Sequence, residues 1–208
     1  MTASYKLYGR PGSGNFAVQV ALEELGARYE RVWVGAEAAD VARFRAINPT
    51  GRVPALVLPD GTAMFESAAM LIHLALTHPQ SALAPAAGTG RHAAFLQWMV
   101  FLSANVYEAA LRIYYPARYS PRGEADAEAI RAQGTADFCT HLALISEGLG
   151  PYVLGAEYSI ADLYLYMLAS WYPGEKRELY ARLPKLEALA KLVSARPAVA
   201  KVEADHAR

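Results

Sequence analysis

The sequence predicts two folds joined in series: a small α/β domain over residues 1–80, a linker at 81–90, and an all-helical domain over 91–208. Three observations carry this. Strand and helix signals alternate through the first part and then strand signals stop. Between the two parts, "HPQSALAPAAGTG" (78–90) is rich in Pro, Gly and Ala and has no apolar period, a composition that interrupts both helix and strand.

Each element of the first part has a local cause. "YKLYG" is a short β run ending at Gly9. Val18, Ala21, Leu22 and Leu25 then share one helical face, and Gly26 stands where a helix-ending glycine belongs. "YERVWV" reads as a second strand, Asp40–Ala46 as a short polar helix, and "NPTGRVP" as a turn. "ALVL" and "AMF" flank "PDGT", whose Asp60-Gly61 predicts a hairpin, and a helix follows from Ser67 to Thr77. The order is β-α-β-α-β-β-α.

In the second part, long helices are expected over Arg91–Tyr115 and Glu124–Leu149. Ser159-Ile160-Ala161-Asp162 reads as a capping box with Asp in place of Glu, stapled by Tyr158 and Leu163. Pro184 starts a further helix, and Pro197 separates it from a short last one.

Composition narrows the class of function. The chain is 54% hydrophobic and 19% charged with zero formal net charge, and no basic stripe points to a nucleic-acid backbone as partner. No apolar run reaches the ~20 residues of a membrane span. The start, "MTASYKLYGR", lacks the layout of a secretory signal, and Cys139 is the single cysteine, which excludes an internal disulfide framework and any CxxC redox or zinc motif. A cytoplasmic protein is expected, with no metal, no nucleic acid and no membrane partner. Cys139 itself falls on an apolar helical face and is expected in the core.

Gly12–Ala17, "GSGNFA", fits the loose dinucleotide pattern G-x-G-x-x-A. A nucleotide-binding fold needs more parallel strands and an acid ending the second one. Here that strand ends "VWVGA", with no acid before Glu37. The turn therefore serves something else.

Three segments read together are more specific: "GRPGSGN" after the first strand, "NPTGRVPAL" before the third, and "MFESAAM" after the fourth. With "YSIADLYLYMLASWY" in the helical half, they resemble the cytosolic glutathione transferase superfamily over essentially the whole chain. The resemblance implies a thioredoxin-like N-terminal domain followed by an all-α helical-bundle domain. It further implies glutathione as co-substrate, a small electrophile as second substrate, and a homodimer.

It also assigns candidate residues. Val53 and Pro54, with the proline cis, present the backbone that pairs with the cysteinyl part of glutathione. Ser67, as helix N-cap, and Glu66 receive the γ-glutamyl carboxylate and ammonium groups. Arg52 stands where several members carry a glutamine touching the peptide. The lysine or histidine that many members use for the glycyl carboxylate is replaced by Asp40, with Arg43 or Arg45 as substitutes if they are not simply solvated charge. The thiol needs a donor. Gly9 occupies the tyrosine-type position, Tyr8 points to the other face, and Gly14 occupies the cysteine-type position. Pro11-Gly12-Ser13 resembles the serine-type "P-x-S", so Ser13 is the first candidate and Asn15 the second, with simple helix capping as the alternative for Ser13. For the electrophile, "NVYEAALRIYYPARY" offers Tyr107, Glu108, Arg112, Tyr115 and Tyr119; cysteine-type relatives carry a histidine where Glu108 aligns. The competing functional class is a non-catalytic member that keeps the fold as a binding or assembly module.

Overall fold

The computed structural model describes residues 4–207. They form two compact units, one running to Ala84 and resuming at Ser194, the other spanning Pro85–Val193.

The first unit is built on a four-stranded sheet: β1 (Tyr5–Gly9), β2 (Tyr29–Trp33), β3 (Ala55–Val57) and β4 (Ala63–Phe65), in the order β2-β1-β3-β4. β1 and β2 are parallel, so the chain between them crosses over through a helix, α1 (Asn15–Glu24). β1–β3 and β3–β4 are antiparallel, the latter pair joined at Asp60-Gly61 as expected. Leu7 and Leu56 on the sheet, Val18 and Leu22 on α1, and Met70 and Leu74 on α3 (Ser67–Thr77) have no exposed surface. The second face of the sheet carries a smaller cluster of Val34, Phe44 and Ala55, with Phe44 supplied by α2 (Ala38–Phe44). This is the thioredoxin-like arrangement.

α1 is buried more completely than an amphipathic helix on a sheet. Asn15 and the whole run Ala17–Leu22 are buried, whereas Leu25 is only half-buried. The cause is a helix of distant sequence: α10 (Pro197–His206), expected to belong with the helical half, packs on α1 within the first unit. Arg196 reaches Glu24 through two bonds of 2.6 Å, and Lys201 reaches Glu23 at 2.8 Å.

The second unit contains α4 (Gly90–Phe101), α5 (Glu108–Tyr114), α6 (Ala127–Gly148), α7 (Ile160–Ala169), α8 (Lys176–Arg182) and α9 (Pro184–Ser194). The single helix expected over 91–115 is interrupted by a π-helical turn, Leu102–Tyr107. α6 begins at Ala127, after a 3-10 turn at Gly123–Asp126, and α8 adds an element that the apolar pattern did not announce. Cys139 is half-buried on α6 rather than in the core. No helix among the described residues is long and apolar enough to cross a membrane.

The capping box at α7 forms as expected. The Asp162 carboxylate has no exposed surface and accepts from Val153 N–H (2.6 Å), Ser159 N–H (2.7 Å) and the Ser159 hydroxyl (3.1 Å). Burial pushes the Asp162 carboxyl up to about 6, the three bonds opposing it only in part. The folded chain therefore binds this proton more tightly than the unfolded one. The stability it contributes is present below about pH 4, where both states are protonated, and is lost as pH rises through about 6, a change of roughly 3 kcal/mol. Asp162→Asn should remove that slope, read as the wild-type-minus-mutant difference in denaturant unfolding between pH 4 and 7. Asp162→Ala, which strands two buried N–H groups, should cost about 2–5 kcal/mol at neutral pH.

Candidate active site

The strand register brings the three motif segments to one end of the sheet. Tyr8 pairs with Ala55, and Ala55 with Phe65. One residue further along each strand, Gly9, Pro54 and Glu66 stand side by side, with neighbouring strands ~4.8 Å apart. α1 follows β1 and α3 follows β4, so both helices open at this same end. Each helix start directs N–H groups and a partial positive charge outward, a setting that favours an anion.

The "GRPGSGN" turn is organised by Asn15, which has no exposed surface. Its Oδ1 accepts from Arg10 N–H (3.2 Å) and from the Ser13 hydroxyl (2.6 Å). A backbone N–H can only donate, so the Arg10 contact fixes which end of the carboxamide is oxygen. Ser13 does not cap α1: Gly14 is the residue before the helix, and the Ser13 hydroxyl goes to the Asn15 side chain instead. The glycine at 9 is required because a Cβ there would lie 2.2 Å from Asn15 Cγ. The tyrosine-type position is thus filled by the Asn15 carboxamide. Tyr8 points to the other face, against Phe44 at 5.8 Å. Arg10 ties the turn to the end of β2, donating to Val34 O (3.0 Å) and Gly35 O (2.7 Å).

The second segment is held by Asn48, almost fully buried, whose amide donates to Arg52 O (2.6 Å) and accepts from Thr50 N–H and its hydroxyl. The Val53–Pro54 peptide is cis. Arg52 is exposed beside it. The candidate substitutes for the missing lysine are occupied: Arg43 pairs with Asp40, and Arg45 donates to Pro49 O at 3.2 Å.

In the third segment α3 begins at Ser67 as expected, but Ser67 is not its N-cap. Ser67 is the first helical residue and Glu66 the flanking one. Glu66 has φ 70°, left-handed backbone that only glycine adopts without cost, and this kink ends β4 and turns the chain into α3. Glu66 is exposed and Ser67 buried.

The candidates of the helical unit divide into two groups. Tyr107, in the π turn, meets Trp171 edge to face at 5.0 Å, and the Tyr114 hydroxyl donates to Trp171 O at 2.6 Å. Arg112 instead pairs with Asp137 of α6 at 3.4 Å and lies over the Tyr119 ring. Tyr115 is exposed under the Arg118 guanidinium, 3.9 Å from its ring centre, and Glu108 is half-buried at the start of α5. Trp171 and Tyr114 were not anticipated. Also missed were Gln19 and His206, although Asn15, Gln19 and Glu23 recur every fourth residue along α1. Among the described residues no group of three His, Cys, Asp or Glu side chains is placed to hold a metal ion.

Comparison with known proteins agrees with this geometry. Residues 16–77 match the glutathione S-transferase N-terminal domain and residues 107–206 the glutathione S-transferase C-terminal domain. Glutathione S-transferase GstA of Escherichia coli O157:H7 is 27% identical, with 93% of this chain and 94% of that protein covered. An uncharacterized GST-like protein of E. coli K12, YncG, is also 27% identical, over 89% of this chain and 97% of its own length. Among solved structures, a glutathione transferase homologue from Sulfitobacter with bound glutathione has a TM-score of 0.87 and 29% identity, covering 98% of this chain and 99% of the other. A beta-class glutathione S-transferase from Sphingomonas chungbukensis has a TM-score of 0.80 and 27% identity, covering 97% and 98%. With both domains matched in order and the motif segments meeting at one end of the sheet, this chain belongs to the cytosolic glutathione transferase superfamily.

Proposed function

We propose that the chain is a serine-type glutathione transferase, which binds glutathione at this end of the sheet and holds its sulfur as thiolate for attack on a small electrophile. The observation that carries the reading is the side-by-side placement of the Ser13 turn, Val53-Pro54 and Glu66-Ser67 on three adjacent strands. In this reading the cysteinyl backbone lies along Val53, the γ-glutamyl end meets Glu66 and the start of α3, and Arg52 supplies a cation for the glycyl carboxylate.

A free thiol has a pKa near ~8.5, so a lowering of about two units, worth ~2.7 kcal/mol, is needed for a mostly ionised sulfur at neutral pH. One hydroxyl aimed at sulfur, with the positive end of α1 behind it, is of that size. Ser13 is half-buried and its hydroxyl hydrogen turns freely about the Cβ–Oγ bond, so it can leave Asn15 Oδ1 for a sulfur while Asn15 keeps the Arg10 N–H. Asn15 is enclosed and its oxygen is in use, which favours a supporting part for it. The sulfur then attacks, a bond to the electrophilic carbon forms, and the leaving group departs with its electron pair or, in an addition, the product takes up a proton. On the helical unit, the Tyr107 and Trp171 rings, edge to face at 5.0 Å, are aromatic groups of the kind that pack on an aromatic electrophile. The non-catalytic alternative draws on one observation, the Asp40–Arg43 pair at the place of the usual cation.

Ser13→Ala should leave glutathione bound, raise the pKa of its thiol and lower turnover by about 10- to 1000-fold. Thiolate absorbance of the complex against pH measures this. If Ser13→Ala keeps the wild-type titration while Asn15→Ala loses it, Asn15 is the donor. A chain that binds glutathione with an unshifted thiol is the non-catalytic module.

Ser67→Ala should raise KM for glutathione more than it lowers kcat, because a carboxylate bound equally in ground and transition states contributes only to affinity. Steady-state kinetics at varied glutathione separate the two.

We further infer a homodimer, consistent with the exposed apolar side chains Val100 and Leu144 on the helical unit and Phe65 on the first unit. Light scattering at micromolar concentration should give twice the chain mass, and a monomer would contradict it.

A further inference from the structure

The last helix carries a histidine to the inner side of the thiol-site turn. α10 brings Asp205 and His206 against α1 and β2 within the first unit. Gln19, with no exposed surface, donates from Nε2 to the Tyr29 hydroxyl oxygen (3.2 Å) and to Asp205 Oδ2 (3.0 Å). Its Oε1 is thereby turned to His206 Nε2 at 3.0 Å. An amide oxygen only accepts, so His206 carries its hydrogen on Nε2. Asn15 Nδ2 lies 3.5 Å from that same Nε2, donor against donor, and this contact is packing rather than a hydrogen bond. Phe16 and Trp33 meet the imidazole edge to face at 5.4 Å each.

The charged groups around the ring are Asp205 on its own helix and Arg31 on β2; α1 presents only the neutral Asn15, Phe16 and Gln19. Burial and the Arg31 guanidinium hold the His206 pKa below its ordinary value against the opposing Asp205, in keeping with a neutral ring.

We propose that His206 is a positioning residue for thiol activation: anchored by Gln19, it backs the Asn15 carboxamide and keeps Oδ1 facing Arg10 N–H and the Ser13 hydroxyl. The proposal rests on the reading of the turn as the thiol site. An asparagine amide rotates easily about its last torsion, and only its surroundings select one orientation. Because Gln19 holds the imidazole hydrogen, His206 does not compete for Asn15 Oδ1. Without the ring, the inner side of Asn15 opens, the carboxamide turns, and the Ser13 oxygen loses its 2.6 Å anchor. His206 touches neither substrate nor sulfur in this scheme and acts through Asn15.

The test uses the full chain with His206→Ala and His206→Gln, the latter keeping an N–H for Gln19. Thiolate titration of bound glutathione, glutathione affinity, kcat and melting temperature are measured together. Expected for His206→Ala are a thiol pKa raised toward that of free glutathione, kcat down about tenfold, the scale of one displaced hydrogen bond, and affinity within threefold of wild type. His206→Gln should recover most of the titration shift. Should the alanine variant fail to fold, Gln19→Leu keeps the imidazole but removes the anchor on its Nε2 hydrogen, and it must raise the thiol pKa in the same direction. An unchanged titration, or alanine and glutamine variants equally impaired, overturns the proposal. Adding Ser13→Ala separates the two levels. If His206→Ala adds nothing on the Ser13→Ala background, His206 acts through the turn as proposed. If the two effects simply add, it does not. If Ser13→Ala alone is silent while His206→Ala shifts the thiol, the Ser13 assignment fails and His206 still positions the site through Asn15.

Discussion

A carboxamide with no exposed surface stands where the first strand hands the chain to the first helix, and its oxygen must be satisfied. Asn15 Oδ1 does this with one backbone N–H and one hydroxyl, both from the turn it closes. The consequences spread outward. Position 9 must be glycine, because the carboxamide occupies the space of its side chain. Ser13 is tied to the interior of the turn instead of capping the helix. Arg10, whose N–H is held by Asn15, sends its guanidinium across to the end of β2 and joins two strands at the end of the sheet where the motif segments meet. An unsatisfied buried amide costs about 1–3 kcal/mol, so the geometry of the whole turn follows from one side chain.

The same need for satisfaction governs the other polar residues of α1. Gln19 and Glu23 find partners in α10 and in Tyr29 at the start of β2. The Tyr29 hydroxyl donates to Glu23 Oε1 at 2.6 Å, and burial, with that bond, pushes its pKa up, so it stays protonated as a donor. α1 is therefore a central layer, apolar toward the sheet and α3, and toward α10 it presents the Phe16 ring together with the polar Gln19 and Glu23. The site at its N-terminus is braced from both sides.

Much of this was legible in the sequence because its causes are local. Asp60-Gly61 makes a hairpin wherever apolar runs flank it: Thr62 N–H bonds to Asp60 Oδ1 at 2.8 Å, and Gly61 takes φ 91°. The α7 capping box depends on residues at most nine apart. Candidate segments such as "NPTGRVP" likewise fold around their own Asn48. What escaped has distant or cooperative causes. The Asn15–His206 contact joins residues 191 apart in the chain, which no helical period announces. The π turn inserts a residue without changing the apolar pattern enough to be read. Arg112 reads as a pocket residue by spacing, yet it pairs with Asp137 from another helix. Glu66, Ser67 and the start of α3 were found, but not that left-handed backbone makes Glu66, rather than Ser67, the residue flanking the helix.

The first unit is discontinuous in the chain, and this sets an order on its assembly during synthesis. The helical unit is a single stretch, Pro85–Val193, and every residue of it leaves the ribosome before α10 does. Until α10 arrives, the sheet can form with α1 and α3, but the Gln19 amide and the Glu23 carboxylate face water where a helix will later lie. The early sheet is thus a partly finished object, whose waiting face carries these polar groups beside the apolar rings of Phe16 and Trp33. A hydrophobic stripe in the same place would stay exposed through the making of more than a hundred residues and would invite aggregation. The polar groups set into the seam between α1 and α10 reduce that exposure while the nascent chain waits for its last helix.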